Sequence, residues 1–139
     1  MDSILTPALA LICWTLVMWI WMYATRIPAM QKAKINPAKI TSKSDLDVLP
    51  KEVTRIADNY NHLHEQPVVF YALVFYAAAA GSDTSLMIMA AWLYVILRIA
   101  HSLIQALWNF IPVRFLVFSL SSLVLFLIAG INVGHLFGS

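Results

Sequence analysis

Residues 3–25 read SILTPALALICWTLVMWIWMYAT, a run of 23 positions without a charged side chain. A helix needs about 20 mostly apolar residues to cross the hydrocarbon core of a bilayer. The run is too long for the apolar core of a cleaved signal peptide, and it lacks the basic segment that precedes one. We therefore predict a membrane helix over residues 5–27 that stays in the mature protein.

The composition of the whole chain is that of a membrane protein. Its 139 residues are 61% hydrophobic and 12% charged, whereas soluble domains are about 45–50% apolar and about 25% charged. This balance excludes a soluble enzyme, a disordered tail and a nucleic-acid-binding protein. The length corresponds to a single domain over residues 1–139. One cysteine, Cys13, cannot form an internal disulfide.

Three further helices are predicted after the first, over residues 51–80, 84–109 and 112–136. Pro67 is expected to kink the first of these three, because proline removes one backbone hydrogen bond. A turn follows at 81–84, where Asp83 or Thr84 can cap the next helix. Pro112 then separates the last two helices. The sequence thus predicts an all-α fold, an integral membrane four-helix bundle.

The basic residues are concentrated in one connection. Six of the nine Lys and Arg lie in it or at its borders: Arg26, Lys32, Lys34, Lys39, Lys43 and Lys51. Basic residues in short loops stay in the cytoplasm, because Lys and Arg resist translocation. The polar connection 28–50 is therefore predicted to be cytoplasmic, with both chain ends and the 81–84 turn on the opposite side. Asn132 and His135 are then expected near the outer interface.

Two polar stripes are predicted to meet in the cytoplasmic leaflet. In the 84–109 helix the polar residues recur at spacings of 3, 4 and 4 and fall within about 80° of one another. They are Arg98, His101, Gln105 and Asn109. The 51–80 helix repeats this pattern with a second set: Arg55, Asn59, His62 and Gln66, with Asp58 and Glu65 beside them. The two stripes together can line one pocket.

Two interpretations of these stripes are open. Charges inside a membrane are usually functional, and both signs of charge here suit a zwitterionic peptide with carboxylates and an amine. Alternatively, Arg55 forms helix-surface pairs and Arg98 pairs with Glu65 as structural support between helices. No metal site is predicted, because His62 and His64 are two residues apart and point to different faces of a helix.

Two stretches carry a resemblance to a known family: RIADNYNHLHEQPVVFYA at 55–72 and RIAHSLIQALWNFIPVR at 98–114. They resemble the membrane-associated proteins in eicosanoid and glutathione metabolism, the MAPEG family, whose size and four-helix layout also agree. The resemblance implies a homotrimer. It also implies that glutathione binds between neighbouring subunits in the cytoplasmic leaflet, in contact with residues of both stripes: Arg55, Asn59, His62, Glu65, Arg98, His101, Gln105 and Asn109.

The family pattern Arg-Ala-x-x-Asn-x-x-Glu, followed by Pro, fits this chain in two registers. Anchored on Arg55, it places Asn59 at the amide position and His62 at the acid position. Anchored on Glu65 and the following proline, it supplies the acid but places His62 at the amide position. Glu65 is the preferred partner for the amino group of the ligand.

The resemblance also implies a thiol-activating arginine, and Arg114 stands near that position. Characterised members carry tyrosines on the third helix where this chain has His101 and Gln105, a pattern similar to the uncharacterised bacterial branch. The implied function is a glutathione-dependent transferase or peroxidase of the bacterial inner membrane, acting on lipophilic electrophiles that enter from the lipid. The alternatives are a non-enzymatic lipid-binding or scaffold protein of the same fold, or an accessory subunit of a larger membrane complex.

Overall fold

The computed structural model describes residues 3–34 and 49–138, and within these ranges the chain is helical without strands. The all-α prediction is confirmed. The five α-helices are α1 Leu5–Lys32, α2 Lys51–His62, α3 Gln66–Ala80, α4 Ser85–Leu103 and α5 Ile111–Gly138. A short π-helical segment, Ile104–Trp108, directly continues α4. Most of the predicted cytoplasmic connection 28–50 lies outside the described residues.

Three segments are long and apolar enough to cross a membrane: Leu5–Lys32, Ser85–Trp108 and Ile111–Gly138. The prediction of an integral membrane helical bundle is confirmed on this ground. The α3 helix has 15 residues and therefore rises about 22 Å, which is less than the hydrocarbon core of about 30 Å. By length alone, α3 is too short to span that core.

The predicted continuous helix over 51–80 is wrong, because the chain leaves the helical path at residues 63–65. There the backbone N–H groups of His64 and Glu65 donate to carbonyls three residues back, at 3.0 and 3.1 Å. Pro67 lies in the first turn of α3, where a missing N–H costs no helical hydrogen bond. The proline therefore starts a new helix instead of kinking an old one.

The first helix extends beyond its predicted end at residue 27 and continues through Pro28 to Lys32. Proline inside a membrane helix is tolerated where neighbouring groups satisfy the freed carbonyl. The predicted cap of α4 is confirmed for Thr84, whose Oγ1 accepts a hydrogen bond from the backbone N–H of Met87 at 3.3 Å. Gly81 ends α3 with φ of 76°, a left-handed conformation that suits glycine.

The predicted regular helix up to residue 109 is also corrected. From Ile104 the helix widens to the π form, and Asn109 ends it by donating its N–H to the carbonyl of Ile104. Asn109 has φ of 54°, and asparagine is one of the few residues that adopt this left-handed conformation readily. Such π turns often occur at functional sites.

The helices pack through a core that includes one aromatic stack. The ring of Tyr94 on α4 lies 4.5 Å from that of Phe70 on α3, and both residues are fully buried. The hydroxyl of Tyr94 donates to Oε1 of Gln66 at 3.0 Å. This packing fixes the start of α3, and so the break at 63–65, against the middle of α4.

Candidate functional site

Asn59 and Gln105, one from each predicted stripe, are paired with each other. The Asn59 Nδ2 group donates to Gln105 Oε1 at 2.9 Å, and the two residues are 0% and 3% exposed. Buried amides normally need such partners, because an unpaired polar group is costly in an apolar interior. Both side chains therefore hold α2 to the π-helical segment Ile104–Trp108.

Arg98 is 1% exposed and lies at the C-terminal end of α2. Its Nη2 group donates to the backbone carbonyl of His62 at 3.5 Å, and a helix C-terminus favours positive charge. The Nε and Nη1 groups are buried without a hydrogen-bond partner among residues 3–34 and 49–138. Arg98 thus supports the break between α2 and α3 and retains unused donors.

Arg114 lines a depression of about 240 Å³ at the start of α5, together with His62, Glu65 and His101. The Nη1 group of Arg114 donates to Asn109 Oδ1 at 2.8 Å, which fixes the guanidinium. A hydrogen bond to a charged group at this distance is among the stronger ones in proteins. We call this depression the Arg114 pocket.

The rest of the Arg114 pocket is apolar. Its other lining residues are Ile111, Phe115 and Phe118, and all three are exposed large hydrophobics on the outside of the protomer. The ring of Phe118 also lies 5.9 Å from that of His101. The pocket therefore has charged groups on its inner side and an exposed apolar rim.

Arg55 and Asn109 lie in a neighbouring depression of about 440 Å³, which also contains Lys51 and Asp58. The Nη1 group of Arg55 donates to the carbonyl of Trp108 at 3.4 Å. Asn109 connects the two depressions, since it lines this one while its side chain holds Arg114. We call this second depression the Arg55 pocket.

The predicted site residues are therefore close in space but divided in three. His62, Glu65, His101 and Arg114 line one pocket, Arg55 and Asn109 another, and the remaining ones are buried behind them: Asn59, Arg98 and Gln105. The stripes do face one another. Some residues of each stripe form contacts between helices of the same chain.

Gln66 was part of a predicted stripe but not of the predicted site, and in the structure its side chain connects α4 with α5. Its Nε2 group donates to Ser122 Oγ on α5 at 2.8 Å while its Oε1 accepts from Tyr94. Ile111, Phe115 and Phe118 were also missed. Their spacing of three and four residues around Arg114 is a helical signal that points to one face of α5.

A second polar cluster lies at the other end of the bundle. Ser82 Oγ donates to Asn132 Oδ1 at 2.6 Å, and Asn132 Nδ2 donates to the carbonyl of Leu73 at 3.3 Å. Asn132 is 3% exposed, so its side chain is buried between helices, and its position near the outer interface stays a prediction. The side chain ties the α3–α4 turn to α5.

The fold, with three segments long and apolar enough to cross a membrane, defines the class of multi-pass helical membrane proteins. The MAPEG family model matches residues 4–134, nearly the whole chain. The protein belongs to the MAPEG family. A search of the curated proteins gave no match, and neither did a search of the solved structures.

Proposed function

We propose that the protein is a glutathione-dependent transferase or peroxidase that acts on lipophilic electrophiles in the membrane. One observation carries the proposal. Arg114 is fixed by Asn109 in a pocket that also contains Glu65 and that opens between apolar side chains. A cation and an acid thus lie beside the route by which a lipid-soluble molecule would arrive. Family membership supports glutathione-related chemistry of this type.

The chemistry assigned to Arg114 is stabilisation of a thiolate. A free thiol has a pKa near 8.5 and is mostly protonated at neutral pH, whereas the thiolate is the nucleophile. A positive charge within about 4–6 Å favours the ionised form. The guanidinium of Arg114 would therefore raise the fraction of reactive sulfur, which attacks an electrophilic carbon in a transfer or an oxygen atom in a peroxide reduction.

The side chains present are suited to glutathione by their chemistry. Glu65 can accept the amino group, and Arg55 with Lys51 can hold a carboxylate. The Arg114 pocket, at about 240 Å³, is smaller than the roughly 300–1,000 Å³ of ordinary ligand sites. A tripeptide would therefore extend into the Arg55 pocket or onto a neighbouring subunit. This need for a larger site supports the proposal of a homotrimer with glutathione between subunits.

A second candidate function is a non-enzymatic lipid-binding or scaffold protein of the same fold. The pairing of Asn59 with Gln105 and the bond from Arg98 to His62 favour it, because these contacts within the chain already occupy part of the hydrogen-bonding capacity of the predicted ligand residues. An accessory subunit of a larger membrane complex would show the same packing. These alternatives predict a stable bundle that neither binds glutathione nor conjugates it.

The deciding experiment is titration of glutathione into the purified protein in lipid nanodiscs, followed by a conjugation assay with chlorodinitrobenzene. Binding with turnover supports the proposal, whereas absence of both supports the scaffold. Native mass spectrometry of the same sample should show three chains. A stable monomer would contradict the trimer.

We further propose that the protein resides in the bacterial inner membrane with the 28–50 connection in the cytoplasm. The concentration of basic residues in that connection supports this orientation. A reporter fused after Ser139 should then be active only on the periplasmic side. Activity of the fusion in the cytoplasm would reverse the orientation and move the proposed site to the other face.

A further inference from the structure

A short turn at residues 109–110 joins two segments that are long and apolar enough to cross a membrane, Ser85–Trp108 and Ile111–Gly138. Lipid-exposed irregular backbone does not occur within the hydrocarbon core, so a turn between two crossing segments lies at the membrane surface. The rings of Trp108 and Phe110 lie 4.8 Å apart on either side of Asn109, and tryptophan is enriched at membrane–water interfaces. This turn therefore marks the level of the lipid headgroups.

The Arg55 pocket lies at the same level as this turn. Asn109 of the turn lines the pocket, and the Nη1 group of Arg55 donates to the carbonyl of Trp108 at 3.4 Å. The volume of the pocket is about 440 Å³, within the roughly 300–1,000 Å³ of ordinary ligand sites. A molecule bound in this pocket would have its polar group among the headgroups of the bilayer.

The charge of the Arg55 pocket suits an anion. Among the described residues that line it, Lys51 and Arg55 are cations and Asp58 is the single acid, which leaves one net positive charge. Lys51 is also the first residue of α2, and a helix N-terminus carries a partial positive charge. The Nε group of Arg55 is buried without a hydrogen-bond partner among residues 3–34 and 49–138. The pocket is therefore complementary to an anion with a single charge.

The turn beside the pocket exposes apolar side chains. Trp108 and Phe110 are 58% and 45% exposed, and Leu107 and Ile111, which flank them in the sequence, are 65% and 60% exposed. A small soluble anion in the pocket would leave these side chains uncovered. An anion attached to acyl chains would cover them, because its chains extend from the headgroup level into the hydrocarbon core.

We propose that the Arg55 pocket binds the phosphodiester of an anionic phospholipid, such as phosphatidylglycerol, whose acyl chains lie along Trp108 and Phe110. A phosphodiester carries a single negative charge and accepts strong hydrogen bonds from guanidinium and ammonium groups. Phosphatidylcholine has the same phosphodiester, but its own fixed cation cancels the charge. The inference goes beyond the proposed function, because the lipid is not a reactant. Glutathione then extends from the Arg114 pocket onto a neighbouring subunit.

Lys51→Gln combined with Arg55→Gln tests the site, because this double variant removes both cations of the pocket. The matched control combines Lys32→Gln with Lys34→Gln, since both lysines are exposed near the end of α1 and neither lines the pocket. Each protein is placed in nanodiscs of equimolar phosphatidylglycerol and phosphatidylcholine, and the retained lipids are identified by native mass spectrometry. Retained phosphatidylglycerol should fall by about tenfold or more in the pocket variant and stay within about twofold in the control.

A second measurement uses the unaltered protein and does not depend on the folding of a variant. Short-chain phosphatidylglycerol is added to the protein in uncharged detergent, and the melting temperature is recorded. A ligand that binds the folded chain raises its melting temperature, so this lipid should stabilise the protein more than short-chain phosphatidylcholine or glycerol phosphate does. Equal stabilisation by the two phospholipids, or by phosphatidylglycerol and glycerol phosphate, would overturn the inference.

Glutathione separates the lipid site from the proposed function. If added glutathione displaces the retained phosphatidylglycerol, the pocket binds a carboxylate of the tripeptide and the inference is wrong. An equal loss of lipid in the control variant would also contradict it, because general attraction between basic side chains and anionic lipid would explain the retention. If retention depends on Lys51 and Arg55 as expected but the unaltered protein binds no glutathione, the proposed function fails while the lipid site stands.

Discussion

Replacement of Arg114 by alanine is the most direct perturbation of the proposed chemistry. The guanidinium is half-buried and held by Asn109 at 2.8 Å. Two unit charges 4 Å apart near a protein surface interact by about 4 kcal/mol, and exposure to solvent reduces this. A loss of about 1.5–3 kcal/mol, the range for a hydrogen bond to a charged group, is therefore expected. It corresponds to turnover lowered by about 10- to 150-fold.

The assay is conjugation of glutathione to chlorodinitrobenzene over a series of pH values. Without the guanidinium the bound thiol ionises less readily, so the rise of turnover with pH should move to higher pH in Arg114→Ala. Part of the lost rate should return in alkaline buffer. The affinity for glutathione should stay within a few fold, because the thiol contributes little to binding while it is protonated.

Arg114→Lys and Asn109→Ala separate the possible roles of Arg114. Lysine keeps the charge but loses the planar fork, so it should retain part of the rate if the effect is electrostatic. Asn109→Ala leaves the charge in place and frees its orientation, and a smaller loss is expected. Unchanged turnover and an unchanged pH profile in Arg114→Ala would refute the reasoning. Arg114 would then only extend toward the lipid headgroups.

Three further predictions concern buried polar side chains, two near the site and one at the other end of the bundle. Arg98→Met keeps most of the side-chain volume, whereas Arg98→Ala leaves a cavity, so the methionine variant should lower the melting temperature less. Equal losses in the two variants would show that the side-chain volume at this position is irrelevant to stability. Asn59→Ala and Gln105→Ala should each destabilise, and a double-mutant cycle should give a coupling of about 0.5–1.5 kcal/mol; zero coupling would mean that the observed bond contributes nothing. Asn132→Leu should lower the melting temperature and leave glutathione affinity unchanged, and a loss of affinity would connect the distant cluster to the site.

The apolar runs predicted three of the helices because their length and lack of charge leave few alternatives in a membrane. The break at 63–65 was not predictable in the same way. Residues 51–62 and 66–80 each suit a helix, so the pattern alone favours one helix across both. Pro67 signalled an irregularity, but whether a proline kinks a helix or begins one depends on the chain before it. The π segment at 104–108 has no local sequence signature at all.

The spacing of the polar residues indicates the right faces of the helices but not the function of each residue. Spacing places Asn59 and Gln105 on surfaces that meet, and it cannot show that they bond to each other rather than to a ligand. That distinction depends on the distance between the two helices, and the spacing of residues in the sequence does not determine this distance. The apolar rim of the Arg114 pocket was missed for the opposite reason, since phenylalanines on a membrane helix are typical of any lipid-facing surface.

The break between α2 and α3 and the buried Arg98 are best explained together. Non-helical backbone within a membrane is tolerated where it is buried in protein or lines a cavity; at the break Leu63 is buried and Glu65 lines the Arg114 pocket. Arg98 donates to the carbonyl of His62, at the last residue before the break. His62 before the break and Glu65 within it line the same pocket. The same His62 carbonyl also accepts the backbone N–H of Glu65 at 3.1 Å, so the arginine and the irregular backbone meet at one oxygen. The arginine, the irregular backbone and the acid of the pocket therefore form one arrangement.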